Sequence, residues 1–266
     1  MTTAKKRFGQ NFLADPHKAD NLVAALHIST GESVIEVGPG TGILTERILS
    51  KGANLFAIEL DRDLIAPLEE RFGNNINFHL IENDIIKVNP RNLGSGKFKI
   101  IGNLPYNISG AMMEWLIEYY DIISQAVITV QKEVASRIRA VPENRDYGSL
   151  SVIIQSYYDI KRLFDIQPGS FSPTPKVVST ALSLEPNKKI PEEINFGTFK
   201  EFLRSCFAQK RKKLTNSLLA QSPVGNKAMK RERLENYLAR LGKKADIRAE
   251  QLNLKDFLEL YKLARE

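Results

Sequence analysis

The chain has 266 residues, 42% of them hydrophobic and 8% aromatic, which is enough apolar material for one sizeable domain and a small second one and too much for a disordered tail. A single cysteine, Cys206, excludes an internal disulfide, and His17, His27 and His79 show neither helical ligand spacing nor a CxxC partner, so no metal is expected. No apolar run approaches the roughly 18–20 residues that cross a bilayer, and MTTAKKRFGQNF has no apolar stretch behind its charges. The expectation is a soluble cytoplasmic protein with no membrane partner and, by default, a monomer.

In chain order, short strand-like runs alternate with longer helical ones, the pattern of an α/β fold built on a parallel sheet. The spacing predicts strands at Ser33–Val37, Asn54–Leu60, Ile76–Ile81, Lys99–Gly102 and Ala126–Val130. Between and after them, Thr41–Leu49, Arg62–Phe72, Ala111–Tyr120 and Lys132–Ala140 read as helices. Two further β-rich runs, Leu150–Tyr158 and Val177–Leu184, are expected to add an antiparallel pair at one sheet edge. After Glu185, Pro186 and Pro191 bracket a Lys-rich linker, and helices are expected around Phe199–Ala208, Lys210–Leu219, Arg231–Arg240 and Leu254–Ala264. The domain boundary is placed there, giving residues 1–186 and 187–266. Charge divides at the same point: residues 187–266 carry 19 basic and 10 acidic side chains, a net of +9 that leaves −2 for the rest. With Lys5, Lys6 and Arg7 at the start, a basic arm and a basic tail flank an acidic body, which suggests a polyanion held at the periphery.

The segment VIEVGPGTG sets a buried strand directly before Gly38 and Gly40 and opens a helix. Such a turn lets backbone approach a ligand. The spacing is GxGxG and not the GxGxxG of a dinucleotide fingerprint, and no Gly-Lys-Ser/Thr follows, so NAD, FAD and a phosphate loop are disfavoured. Glu59, 21 residues after Gly38, ends the second strand where a carboxylate can accept from both ribose hydroxyls. Asp84 ends the third strand, where it can accept from an adenine amine with Ile85 packing beside the ring; taken alone it would be a helix N-cap. A ligand with ribose and adenine but no phosphate clamp fits S-adenosylmethionine.

The fourth strand ends in Asn103-Leu104-Pro105-Tyr106. An adenine N6 lone pair is delocalised into the ring and is a poor nucleophile. Fixed acceptors for both N6 hydrogens, the Asn103 side-chain carbonyl and the Leu104 main-chain carbonyl, favour a pyramidal nitrogen. Pro105 stiffens the turn and Tyr106 offers a stacking face.

With these residues in place, the sequence resembles the small-subunit (16S) ribosomal RNA adenine N6,N6-dimethyltransferases. The resemblance runs through FGQNFL (8–13), EVGPGTG (36–42), GNLPYNIS (102–109), QKEVA (131–135), YGSLSV (147–152), SFSPTPKV (170–177) and QKRKKLTNSL (209–218). It implies a Rossmann-like class I methyltransferase fold, a mostly parallel seven-stranded sheet with an antiparallel edge, plus a small all-α C-terminal domain that binds RNA or the ribosome. It implies S-adenosylmethionine as cofactor, S-adenosylhomocysteine as product, and 16S rRNA in the small subunit as partner. Gln10, Asn11 and Leu13 would close over the cofactor, joining Gly38, Gly40, Glu59, Asp84, Ile85 and Asn103. Phe171 would pack on the target adenine opposite Tyr106, although on sequence alone it reads as a core residue. RNA contacts are expected from Arg204, Lys210, Arg211, Lys212 and Lys213, which can hold phosphates without specifying a site.

Three rivals remain: the large-subunit rRNA adenine methyltransferases of the macrolide-resistance type, which share an NxPY motif; a ribosome-assembly factor that has lost catalysis; and, more distantly, a DNA adenine methyltransferase. GQNFL, NLPYNIS and SFSPTPKV favour the small-subunit group, and the intact cofactor and acceptor motifs count against a purely binding role.

Overall fold

The computed structural model describes residues 11–209, 212–221 and 231–265. A two-residue strand, β1 (Phe12–Leu13), leads into α1 (Pro16–Ala25). Asp15 caps that helix by accepting the Lys18 N–H, and Pro16 takes a first-turn position where its missing donor costs nothing. There follow β2 (Ser33–Val37), α2 (Ile43–Ser50), β3 (Asn54–Glu59), α3 (Arg62–Phe72), β4 (Phe78–Glu82), β5 (Phe98–Asn103), α4 (Ser109–Glu118), β6 (Ile123–Gln131) and α5 (Lys132–Arg139). The remainder comprises α6 (Ser149–Gln155), β7 (Tyr158–Ile166), β8 (Phe171–Ser172), β9 (Ser179–Pro186), α7 (Phe196–Phe207), α8 (Leu214–Gln221), α9 (Arg231–Arg240) and α10 (Leu254–Arg265).

Seven strands form one sheet in the order β4-β3-β2-β5-β6-β9-β7. The ladder from β4 to β6 is parallel, and β9 joins β6 antiparallel. Strands β2, β3 and β5 are almost wholly buried and largely apolar, interrupted by Glu36 in β2 and Lys99 in β5, as strands covered on both faces tend to be. The chain order reverses between β2 and β5, which opens a crevice beyond their carboxyl ends. No described helix is long and apolar enough to cross a membrane.

Two compact units result. The first comprises the chain to Ala135 together with Asp159–Pro186, and holds the whole sheet apart from the first residue of β7. Its core includes Leu22, Leu26, Val34, Ile48, Leu55 and Leu68. The second comprises Ser136–Tyr158 and the chain from Asn187. It is built around Phe199, Phe202 and Tyr261, whose rings meet at 5.3–6.4 Å, and the buried Tyr147 hydroxyl donates to the Leu252 carbonyl at 2.9 Å.

The expected strands from Ser33 to Val130 and their helices are present, with ends shifted by at most three residues. The run expected as a strand at Leu150–Tyr158 is instead α6, and the strand lies just beyond it in β7. Three contiguous apolar residues, Val152, Ile153 and Ile154, fit a buried helix as well as a buried strand, and periodicity does not separate the two. Strand β7 is half exposed, so it lacks the apolar run that marked the central strands. The same segment alters the division at residue 186, because 136–158 belongs with the second unit. There α6 lies against α7, and the Asn187 and Lys189 N–H groups donate to the carbonyls of Tyr157 and Ser156, each at 2.7 Å.

Candidate active site

The carboxyl ends of β2, β3, β4 and β5 open onto a cavity of about 230 Å³ in the first unit. Its floor is the turn after β2, where Gly38 and Gly40 have φ of +66° and +59°. A Cβ on Gly40 would stand 2.8 Å from the Phe12 ring, so glycine is required there by both conformation and space. The Gly40 N–H donates to Glu59 Oε2 at 3.2 Å, and the Asp61 N–H donates to Oε1 at 2.8 Å. Glu59 is 5% exposed; burial pushes its carboxyl above the usual range despite these donors. Behind it, Glu36 is wholly inside the strand layer. Its Oε2 accepts from the Thr45 hydroxyl at 2.7 Å, while Oε1 is buried with no partner among the described residues. Burial, with the Glu59 charge adding to it, pushes the Glu36 carboxyl up to about 8.

Asp84 lines the cavity and also caps the single helical turn Ile85–Lys87, its Oδ1 accepting the Ile86 N–H at 3.1 Å. Its capping and lining positions are thus compatible, because a carboxylate has two oxygens. Leu60, 50% exposed, and the buried Ile85 supply apolar walls. Glu59, Asp61 and Asp84 are the acidic lining, and no described lining residue is Lys, Arg or His.

Across the crevice, the Leu104 N–H donates to the Thr129 carbonyl at 3.1 Å and ties the turn after β5 to β6. Asn103 Nδ2 donates to the Asn11 main-chain carbonyl at 2.7 Å. That bond fixes which end of the amide is the donor, so Oδ1 is the acceptor the side chain has left to offer. Pro105, Tyr106, Asn107 and Ile108 complete this wall, and the Tyr106 hydroxyl lies 3.4 Å from Ser179 Oγ.

The structure therefore gathers Asn11, Gly38, Gly40, Glu59, Asp84, Ile85, Asn103, Leu104 and Tyr106 around one cavity. Two expected residues stand elsewhere. Leu13 and Phe171, each 4% exposed, oppose one another in the β1–β8 pair and pack into the core. Alternation along β1 decides this: Leu13 points inward and its neighbour Phe12 lines the cavity. Phe171 adopts the core position that sequence alone favoured. Gln10, Lys210 and Arg211 lie outside the described residues; Arg204, Lys212 and Lys213 are exposed on the second unit. Phe12, Leu60 and Asp61 were not anticipated. The strand alternation of NFL and the N-cap pattern Asp61-Arg62-Asp63 are the signals that point to them.

This sheet order is that of the class I methyltransferase fold. The chain is similar to the crystal structure of a dimethyladenosine transferase from Plasmodium falciparum, with a TM-score of 0.75, 26% identity, and coverage of 94% of this chain and 95% of the other. It is 36% identical over 260 residues to a ribosomal RNA small subunit methyltransferase A of Pseudomonas fluorescens, covering 97% of this chain and 92% of that one. It is 38% identical over 263 residues to the protein of the same name from Acidobacterium capsulatum, covering 97% and 90%. Residues 1–256 match the family described as ribosomal RNA adenine dimethylase, and the chain belongs to that family.

Proposed function

We propose that the protein transfers methyl groups from S-adenosylmethionine to N6 of two adjacent adenines near the 3′ end of small-subunit rRNA, leaving N6,N6-dimethyladenine. The observation that carries this reading is the Asn103 amide, held by Asn11 so that its oxygen is the remaining acceptor beside an acidic crevice. Three carboxylates and, among the described residues, no basic lining side chain suit a cationic ligand without phosphates. S-adenosylmethionine, when bound, supplies a methyl group on a positively charged sulfur and departs as S-adenosylhomocysteine.

Glu59 would accept from the ribose hydroxyls, since each oxygen keeps a lone pair beyond the one taken by Gly40 or Asp61. Leu60 and Ile85 would flank the adenine ring of the cofactor, with Asp84 accepting from its amine. On the acceptor side, Asn103 Oδ1 and the Leu104 carbonyl would hold the N6 hydrogens of the target base, leaving the nitrogen lone pair free to react, and the displaced proton would pass to solvent. Tyr106 would supply a stacking face for a base drawn out of the RNA stack. Lys212 and Lys213, with Arg204, would hold RNA phosphates, while site choice would come from RNA shape.

The test is methyl transfer from labelled S-adenosylmethionine to undermethylated small subunits, large subunits and duplex DNA, with the product nucleoside identified. N6,N6-dimethyladenine in small-subunit RNA is the expected result. Label in large-subunit RNA or DNA would replace the substrate, and tight small-subunit binding without transfer would make the protein an assembly factor.

A further inference from the structure

We propose that Ser179 is a positioning residue that holds the Tyr106 ring at the wall of the crevice through its hydroxyl. The inference rests on the reading of Tyr106 as the face on which the target base stacks.

The main chain around Tyr106 is well tied. The Leu104 N–H donates to Thr129 and the Ile108 N–H to the Pro105 carbonyl at 3.2 Å, and Ser109 Oγ donates to the Tyr106 carbonyl at 3.4 Å. None of these bonds restrains the ring. Tyr106 lies beyond the end of β5, outside the ladder that orders Asn103, and its ring turns about two side-chain torsions. The one described side-chain partner of its hydroxyl is Ser179 Oγ, at 3.4 Å. This is a long hydrogen bond, of the kind that shortens when substrate closes on a site.

Ser179 is itself immobile. It is 0% exposed and stands opposite Gln131 in the β6–β9 ladder, while the Lys132 N–H donates to the preceding Val178 carbonyl at 3.0 Å. The following residue, Thr180, donates its hydroxyl to Asp165 Oδ1 at 2.8 Å, and Lys132 and Arg162 pair with the same carboxylate at 3.0 and 3.1 Å. Burial would raise the Asp165 pKa, but these three donors outweigh it and hold the carboxyl near 2, so the clamp is charged at neutral pH. A hydroxyl placed without exposure costs free energy unless a partner uses it, and the partner here is the Tyr106 hydroxyl. The SFSPTPKV motif thereby acquires a second consequence: β8 sends Phe171 into the core, and β9, directly after the motif, delivers Ser179 behind Tyr106.

The experiment compares wild type, Ser179→Ala, Ser179→Thr, Tyr106→Phe, Tyr106→Ala and the Ser179→Ala/Tyr106→Phe double variant for methyl transfer to undermethylated small subunits, with kcat, KM for S-adenosylmethionine and thermal unfolding measured. Ser179→Ala and Tyr106→Phe should each lower kcat about 5- to 10-fold, the scale of one hydrogen bond, with the cofactor KM unchanged. The double variant should be no slower than the slower single one, and Ser179→Thr, which keeps the hydroxyl, should recover most of the rate. Losses that multiply in the double variant, or a wild-type kcat for Ser179→Ala while Tyr106→Ala is inactive, would overturn the positioning role and leave the functional reading standing. Should Ser179→Ala fail to fold, Tyr106→Phe decides: wild-type kcat overturns the proposal, and the stated loss at unchanged cofactor KM supports it. A wild-type protein that moves no methyl group would overturn both readings.

Discussion

Asn103 at the end of β5 donates its side-chain N–H to the main-chain carbonyl of Asn11, 92 residues earlier, at 2.7 Å. The bond orients the amide and ties Asn11 to the wall that follows β5. Asn103→Ala removes both the acceptor and the tie. Methyl transfer at saturating substrate should fall by at least about 100-fold, the scale seen when one preorganised polar group is deleted. Single-turnover transfer, with the fold checked by circular dichroism, measures it.

Glu59 accepts two main-chain N–H groups and lies buried in the cavity wall. Glu59→Ala should weaken S-adenosylmethionine binding by about 10- to 100-fold, the range for losing charge-assisted hydrogen bonds. Equilibrium titration with the cofactor reads this directly. Unchanged affinity would show that the carboxylate only braces the glycine turn.

Glu36 keeps its proton to about pH 8 when folded, against an ordinary value of 4.5. Between those values the unfolded chain binds fewer protons than the folded one, so this group's contribution to stability declines as pH rises and levels off above about 8. Glu36→Gln cannot ionise. The stability of the variant relative to the parent should therefore climb from pH 5 to pH 8, as urea unfolding across that range would show.

Gly102 stands opposite Val37 in the β2–β5 ladder, and a Cβ there would lie 2.9 Å from both the Val37 carbonyl oxygen and its Cβ. Main chain cannot swing aside, so Gly102→Ala must part the strand carrying Gly38 from the one carrying Asn103. A loss of about 1–3 kcal/mol in unfolding free energy is expected. A drop in kcat should accompany it, because both halves of the site hang on this pair of strands.

Lys212 and Lys213 are exposed on the second unit. If they hold phosphates, the double replacement by alanine should weaken small-subunit RNA binding and flatten the plot of log affinity against log salt by about 0.7–0.9 per lost contact. Binding measured across a salt series tests it; an unchanged slope would assign these lysines to ordinary solvated surface.

The parallel strands and the turns at their carboxyl ends are legible in the sequence, because both depend on local signals. Buried parallel strands read as apolar runs bounded by glycine or an acid, and Gly38, Glu59, Asp84 and Asn103 each follow such a run. The helical nature of 149–155 was decided by tertiary structure, since LSVIIQ suits either conformation until α7 provides a helix to pack against. The fate of Leu13 was likewise settled only when β1 and β8, 158 residues apart at Leu13↔Phe171, paired and turned its side chain into the core. Long-range pairing also set the Asn11–Asn103 and Tyr106–Ser179 contacts, which no periodicity encodes, because hydrogen bonds between distant residues exist only after the sheet has set their register.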